Sequence, residues 1–311
     1  MSDPWPEEVA ALLRERADAR SASDWARADA LRDRMRELGW EPIDTPAGSS
    51  ARPVPQPTQQ LASILDQPAS LPASVVAVVD DHPGDLARLL AALHANPPGV
   101  AHELVVVANA PADEAGELPD LGSGVHRVES AQRLGWADAV NLGLHQARGA
   151  VVVLLDTSME PSGDFLAPLL AAFDDPRVGL AGPWGVSSGD GRQFDEARPG
   201  EVDAIEGYCL AIRREALQQV GGFDPRFRFY RNADLDLSFA VRDHGWIAIR
   251  TQPLPLARHE HRGWSAQPEG ERDRLSKRNF YRFLKHWGDR RDLLLHPTPR
   301  SERGVARSKA P

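Results

Sequence analysis

Two patterns of apolar and polar positions divide the chain. Over residues 6–38 apolar side chains recur at helical spacing, with Val9, Leu12 and Leu13 on one stripe and Trp25, Ala28, Leu31, Met35 and Leu38 on a second. The spacing predicts two helices. Ser21, Ser23 and Asp24 place capping residues ahead of the second stripe and Gly39 supplies a stop, so residues 1–45 read as a helical hairpin with Trp25 and Leu31 in its core. Residues 46–73 turn rich in Pro, Ser, Ala and Gln, a composition that predicts an extended, solvated linker, with one helical turn at Leu61, Ile64 and Leu65.

From residue 74 short Val and Leu runs alternate with amphipathic segments, as parallel strands joined by crossover helices require. Strands are predicted at 75–79, 104–107, 125–128, 151–155 and 178–181, and helices at 84–95, 135–147 and 164–172. The fold class is α/β, a Rossmann-like doubly wound, mainly parallel sheet over residues 74–290. Its ligand crevice lies at the carboxyl ends of the strands, where Asp80, Asp81, Asn109 and Asp156 fall. Residues 291–311 are basic and poor in apolar side chains, and are expected to be a disordered tail.

Composition narrows the class. Of 311 residues 41% are apolar and 26% charged, with a net charge of −9, which predicts a soluble globular protein and argues against nucleic-acid binding. No apolar run approaches the roughly 20 residues of a membrane helix, and the acidic start lacks the features of a signal peptide, so a cytoplasmic location is expected. Cys209 is the only cysteine, which excludes an intrachain disulfide and dithiol redox chemistry.

Three stretches carry candidate chemistry. In VVVLLDTSMEP (151–161) a buried strand ends at Asp156, which serves either as a ligand to a divalent metal or ribose hydroxyl, or as the cap of the next helix. In 207–245, Asp236 reads as a helix cap, whereas Asp234 lies earlier, in the approach to the helix, where a general base would reach into the crevice. In ARHEHRGWS (257–265), His259 and His261 share a face if the segment is a strand, as metal or phosphate ligands or as structural side chains.

Together, in this order and spacing, the three stretches resemble family 2 glycosyltransferases of the GT-A fold over about residues 74–290. Gly135, Asn141, Gly143, Ala147 and Gly149 look like that family's approach to its aspartate motif, and Asp156 matches the motif's first carboxylate. The segment GYCLAIRREALQQVGGFDPRF is similar to the acceptor-side segment, and Asp234 in NADLD falls where the family carries its catalytic base. Ser158 stands where the second motif carboxylate is usual, Ala108 where an aspartate precedes Asn109, and Ala233 where a Glu precedes the base. The resemblance implies an inverting transferase moving a sugar from a nucleotide-sugar donor to a glycan, lipid-linked or small-molecule acceptor hydroxyl. It implies Asp80, Asp81, Asn109, Asp156, Ser158 and Gly207 as nucleotide-sugar contacts, and Asp156, His259 and His261 as holders of a divalent metal, Mn or Mg. The incomplete aspartate motif motivates an alternative, a catalytically lapsed binding or scaffold protein.

The first 50 residues are similar to the small helical C-terminal unit of cysteinyl-tRNA synthetases. Asp24, Trp25, Ala28, Asp29, Arg32, Asp33, Gly39, Asp44, Thr45, Pro46 and Gly48 carry the match. In that family the unit contacts tRNA. The acidic balance here reads instead as a packing or docking module.

Overall fold

A computed structural model describes residues 5–22, 24–45, 48–53, 62–109, 118–122, 124–130 and 132–298. The chain divides into two compact units, Met1–Thr58 and Gln59–Pro311.

In the first unit α1 (Glu7–Ser21) and α2 (Trp25–Glu37) form the predicted hairpin, and the Asp24 side chain caps α2 by accepting from the Arg27 N–H. The chain then turns at Gly39 (φ 80°) into an antiparallel pair, β1 (Trp40–Thr45) and β2 (Gly48–Pro53). Part of the expected linker is therefore paired strand, and residues 54–61, with Leu61 among them, lie outside the described residues. Val9, Leu13 and Met35 form the core. Trp25 does not join it: it is 60% exposed, because the stripe of α2 that is buried runs through Ala28 and Met35. Leu31 is only half-buried. Arg16 grips both oxygens of Asp44 at 2.9 Å, tying α1 to the strand pair and holding the Asp44 carboxyl well below the usual range.

The second unit opens before the predicted strand. Leu65 is buried, and Ile64 donates its N–H to the His145 carbonyl, so the expected linker ends as part of this unit. Next come β3 (Leu71–Val79), α3 (Pro83–Ala95), β4 (His102–Ala108), β5 (Val125–Glu129), α4 (Trp136–Leu144), β6 (Gly149–Leu155), β7 (Met159–Pro161) and α5 (Leu166–Leu170). They are followed by β8 (Val178–Gly182), β9 (Gly185–Ser187), β10 (Asp195–Glu196), β11 (Gly200–Val202), β12 (Ala204–Ile205) and β13 (Cys209–Arg213). The remainder is α6 (Arg214–Val220), α7 (Ala233–Asp243), β14 (Ile247–Arg250), β15 (Leu256–Arg258), α8 (Arg262–Ser265) and α9 (Glu269–Trp287).

Eight strands form one sheet in the order β11-β14-β8-β13-β6-β3-β4-β5. The pairs β6/β3, β3/β4, β4/β5 and β14/β8 are parallel, and β13 runs antiparallel between β6 and β8. Both faces of the central strands β3, β6, β8 and β13 are buried, which is why their sequences are nearly continuous apolar runs. Val76, Val105, Val107, Val152 and Leu154 face one core, and Val75, Ala77, Val106, Val153 and Leu155 the other. Helix α4 lies so close to the sheet that a Cβ on Gly143 would come 2.5 Å from Val76 and 2.7 Å from Val107. Asn141 on the same helix accepts from the Phe223 N–H at 2.8 Å and donates to its carbonyl at 2.7 Å, pinning the chain beyond Gly222.

The ordered chain continues past residue 290. A 3₁₀ turn at Arg291–Leu293 places Leu293 and Leu294 in a cluster with Phe239, Phe283 and Trp287, and Thr298 bonds the Gly189 carbonyl. The expected tail thus loses its first eight residues to the folded unit, because two adjacent leucines cover α7; residues 299–311 lie outside the described residues. Among the described residues no helix is long and apolar enough to cross a membrane.

Candidate active site

The parallel strands β3, β4 and β6 end side by side, so Asp80, Asn109 and Asp156 leave the sheet at one edge. Among the described residues two cavities open there. One, a cleft with about 620 Å³ of empty space that includes open solvent, is lined by Asp80, Asp85, Asp156, Ser158, His261 and Arg262 among others. The second, with about 420 Å³ of empty space that likewise includes open solvent, is lined by Glu206, Tyr208, Tyr230, Arg231 and Asp234 among others. Trp136, Asp156, Gly207 and His261 line both, so the cavities are neighbouring chambers of one crevice.

Asp156 is fixed from one side. Its Oδ1 accepts from the N–H of Ser158 at 2.8 Å and from its hydroxyl at 2.5 Å, while Oδ2 lies 3.4 Å from His261 Nε2. Burial pushes this carboxyl up, but hydrogen bonding and charge from His261, with the two bonds from Ser158, outweigh it and hold Asp156 below its ordinary value. On His261 burial pushes the imidazole down and Asp156 more than reverses it, so its value is raised. The His261 ring stacks on Tyr230 with centroids 4.2 Å apart, and its Nδ1 is buried without a hydrogen bond.

Asp234 lies in the first turn of α7 rather than ahead of the helix. Its Oδ2 accepts from the Gly207 N–H at 3.0 Å and its Oδ1 from the Leu235 N–H at 3.0 Å. Burial raises its value, and the Gly207 and Leu235 N–H bonds and the Arg231 charge only partly oppose this. A desolvated carboxylate with a raised value is a better proton acceptor than one in water. Asp236 is no cap: it is buried inside the helix and accepts from Trp287 Nε1 at 2.8 Å.

The other predicted residues separate. Asp80 lines the larger cavity, and burial, opposed by the Asn109 amide, raises its value. Asn109 is buried beneath it, donating to Asp80 Oδ1 at 2.5 Å and accepting from the Leu134 N–H at 2.9 Å; it braces the strand ends. Asp81 turns outward to Arg133 at 2.6 Å. Ser158 lines the larger cavity while spending its hydroxyl on Asp156, and Gly207 lines both chambers. His259 does not join His261: its Nε2 sits 2.5 Å from Glu160 Oε2, because β15 ends at Arg258 and strand alternation stops there. Among the described residues no three His, Cys, Asp or Glu side chains are grouped to hold a metal ion. Trp136, Glu206, Tyr208, Tyr230 and Arg231 line the crevice without having been singled out in the sequence.

A divalent ion can still be tested against this donor set. An ion about 2.1 Å from each of two adjacent donors leaves them roughly 3 Å apart, and Asp156 Oδ2 and His261 Nε2 are 3.4 Å apart. The residues present fit an ion that takes its remaining oxygens from a ligand and water.

A strand-end carboxylate and a facing histidine thus stand beside a second chamber that holds a desolvated aspartate. The glycosyl transferase family 2 pattern matches residues 74–239, more than half of the chain, and the chain belongs to that family. The cysteinyl-tRNA ligase anticodon binding domain matches residues 2–40. The N-acetylglucosaminyl-diphospho-decaprenol L-rhamnosyltransferase of Mycobacterium tuberculosis is 33% identical over 78 residues, 25% of this chain and 24% of that protein. The cysteine–tRNA ligase of Escherichia coli is 51% identical over 45 residues, 14% of this chain and 10% of the ligase. The chain therefore matches only a quarter and a tenth of these relatives' lengths. Among solved structures, GalNAc-T7 with UDP, GalNAc and Mn²⁺ superposes with a TM-score of 0.57 at 17% identity, over 71% of this chain and 49% of that one, a likeness of fold.

Proposed function

We propose that the protein is an inverting glycosyltransferase that moves a sugar from a nucleoside-diphosphate sugar to an acceptor hydroxyl. The observation that carries the reading is the shared wall: Asp156, Gly207 and His261 separate a chamber suited to a donor from a chamber holding Asp234. Asp80 and Asp156 would receive the nucleotide-sugar. Asp156 and His261 would hold a divalent ion, Mn²⁺ or Mg²⁺, which when bound supplies positive charge for the departing diphosphate. Arg262, at the rim of the donor chamber, adds a fixed cation.

In the reaction the acceptor oxygen bonds to the anomeric carbon as the bond from that carbon to the diphosphate oxygen breaks. The electron pair leaves on the diphosphate, and the hydroxyl proton passes to Asp234. A single displacement inverts the anomeric centre. Membership of the family, the UDP and Mn²⁺ in the GalNAc-T7 structure and the name of the mycobacterial relative support nucleotide-sugar transfer.

Thermal shift with UDP, GDP and dTDP, with and without Mn²⁺, tests the donor chamber. One of them should raise the melting temperature, further with Mn²⁺, and Asp156→Ala should remove the Mn²⁺ increment. No response to any of them contradicts the reading. Binding without turnover of any nucleotide-sugar favours the scaffold alternative, which Ser158 supports by offering no second carboxylate.

A further inference from the structure

The acceptor chamber holds charge that the fold leaves unmatched. Glu206 is half-buried on its wall, and among the described residues its carboxylate makes no hydrogen bond and no ion pair. Burial, with the nearby charge of Asp234, raises its value against the opposing pull of Arg258 and Arg231.

The two arginines are equally unmatched. Arg231, on the chamber rim, lies over the Trp264 ring at 5.7 Å, and Arg258 lies over Tyr208 at 4.9 Å and Trp184 at 5.9 Å. Neither makes an ion pair with a carboxylate among the described residues, whereas Arg88, Arg133, Arg148, Arg250 and Arg290 all do. Aromatic faces hold both guanidinium groups in place while leaving their N–H edges for a partner. Arg231 lines the chamber directly, and Arg258 borders it by lying over Tyr208, one of the chamber's lining residues.

Carboxylates on the wall accept hydrogen bonds from hydroxyl groups, and guanidinium groups at the rim pair with an anion. Resting on the transferase reading, we propose that the acceptor is a hydroxylated sugar carrying an anionic phosphate, with Glu206 binding a hydroxyl beside the one Asp234 receives and Arg231 and Arg258 binding the phosphate. A phosphate esterified to a lipid and one on a free sugar present the same chemistry to these residues.

Calorimetry on the full chain tests this, with the donor chamber first filled by saturating UDP, GDP or dTDP, whichever binds. The probes are glucose 1-phosphate, methyl glucoside and inorganic phosphate. Glucose 1-phosphate should bind at least about tenfold more tightly than either of the others, as one charge-assisted hydrogen bond warrants. Arg231→Gln should reduce that advantage over methyl glucoside, Arg231→Lys should retain part of it, and Glu206→Gln should weaken glucose 1-phosphate with little effect on inorganic phosphate. A glucoside-linked lipid phosphate in detergent that binds more tightly than glucose 1-phosphate assigns the lipid-borne source, and equal binding the free sugar. Methyl glucoside or inorganic phosphate binding as well as glucose 1-phosphate, or an unchanged preference in Arg231→Gln, overturns the proposal. If a nucleoside diphosphate binds and the sugar phosphate does not, this inference fails alone; if no nucleoside diphosphate binds, the transferase reading fails with it.

Discussion

Trp287 Nε1 donates to Asp236 Oδ1 at 2.8 Å, joining the last residue of α9 to a carboxylate buried in α7, the helix that carries Asp234. Burial raises Asp236 from 3.8 to about 6; the Trp287 bond, His286 and Arg226 pull the other way, and Asp224 adds to the rise.

The raised value fixes a sign. Between about pH 4 and pH 6 the folded state binds a proton that the unfolded state does not, so stability falls as pH rises through the window. The loss above it is roughly 3 kcal/mol, at about 1.4 kcal/mol per pH unit across the window. Asp236→Asn keeps an oxygen for Trp287 and removes the buried charge. It should stabilise the protein at neutral pH and flatten the dependence between pH 4 and pH 6, as read by urea denaturation.

Asn279 controls the loop ahead of Asp234. It is fully buried and donates to the carbonyls of Phe229 at 2.7 Å and Arg231 at 2.9 Å, while Asn232 takes a left-handed conformation (φ 65°) and donates to the Ser276 carbonyl. Asn279→Ala strands two carbonyls and should cost about 2 kcal/mol. Turnover should fall more than nucleoside diphosphate affinity, since the loop bears on Tyr230, Arg231 and Asp234; steady-state kinetics beside calorimetry checks this.

Arg214 is buried with four backbone carbonyls as partners, those of Ile64, Leu65, Ala147 and Gly149, at 2.6 to 3.3 Å. It fastens residues 64–65 to the start of β6. Arg214→Met leaves these carbonyls without their donor and should destabilise by on the order of 3 kcal/mol, measured by chemical denaturation, with the nucleotide site intact in the folded fraction.

The parallel half of the sheet was readable because strands buried on both faces must be apolar throughout: the predicted 151–155 lies within Gly149–Leu155. β13 was not, since Cys209–Arg213 passes directly into α6 with no turn residue between them. Asp156 was legible as a carboxylate at a strand end. His259 was misplaced because the alternation assumed for it needs a strand that has already stopped. Trp136, Tyr208 and Tyr230 look like core aromatics in sequence, and only tertiary packing turns them toward a cavity. Glu206 had a faint signal, a charge immediately before the buried strand that Gly207 and Tyr208 introduce.

The central claim is that Asp234 takes the acceptor proton, and the most direct measurement compares turnover with donor binding in Asp234→Asn. The amide preserves shape and one acceptor oxygen for the Gly207 N–H, which lies 3.0 Å from Oδ2 in the wild type. Nucleoside diphosphate affinity should stay within about twofold while kcat falls on the order of 10²-fold to 10⁴-fold, the range for loss of a general base. An Asp234→Asn enzyme that turns over its donor and acceptor at the wild-type rate would contradict the account.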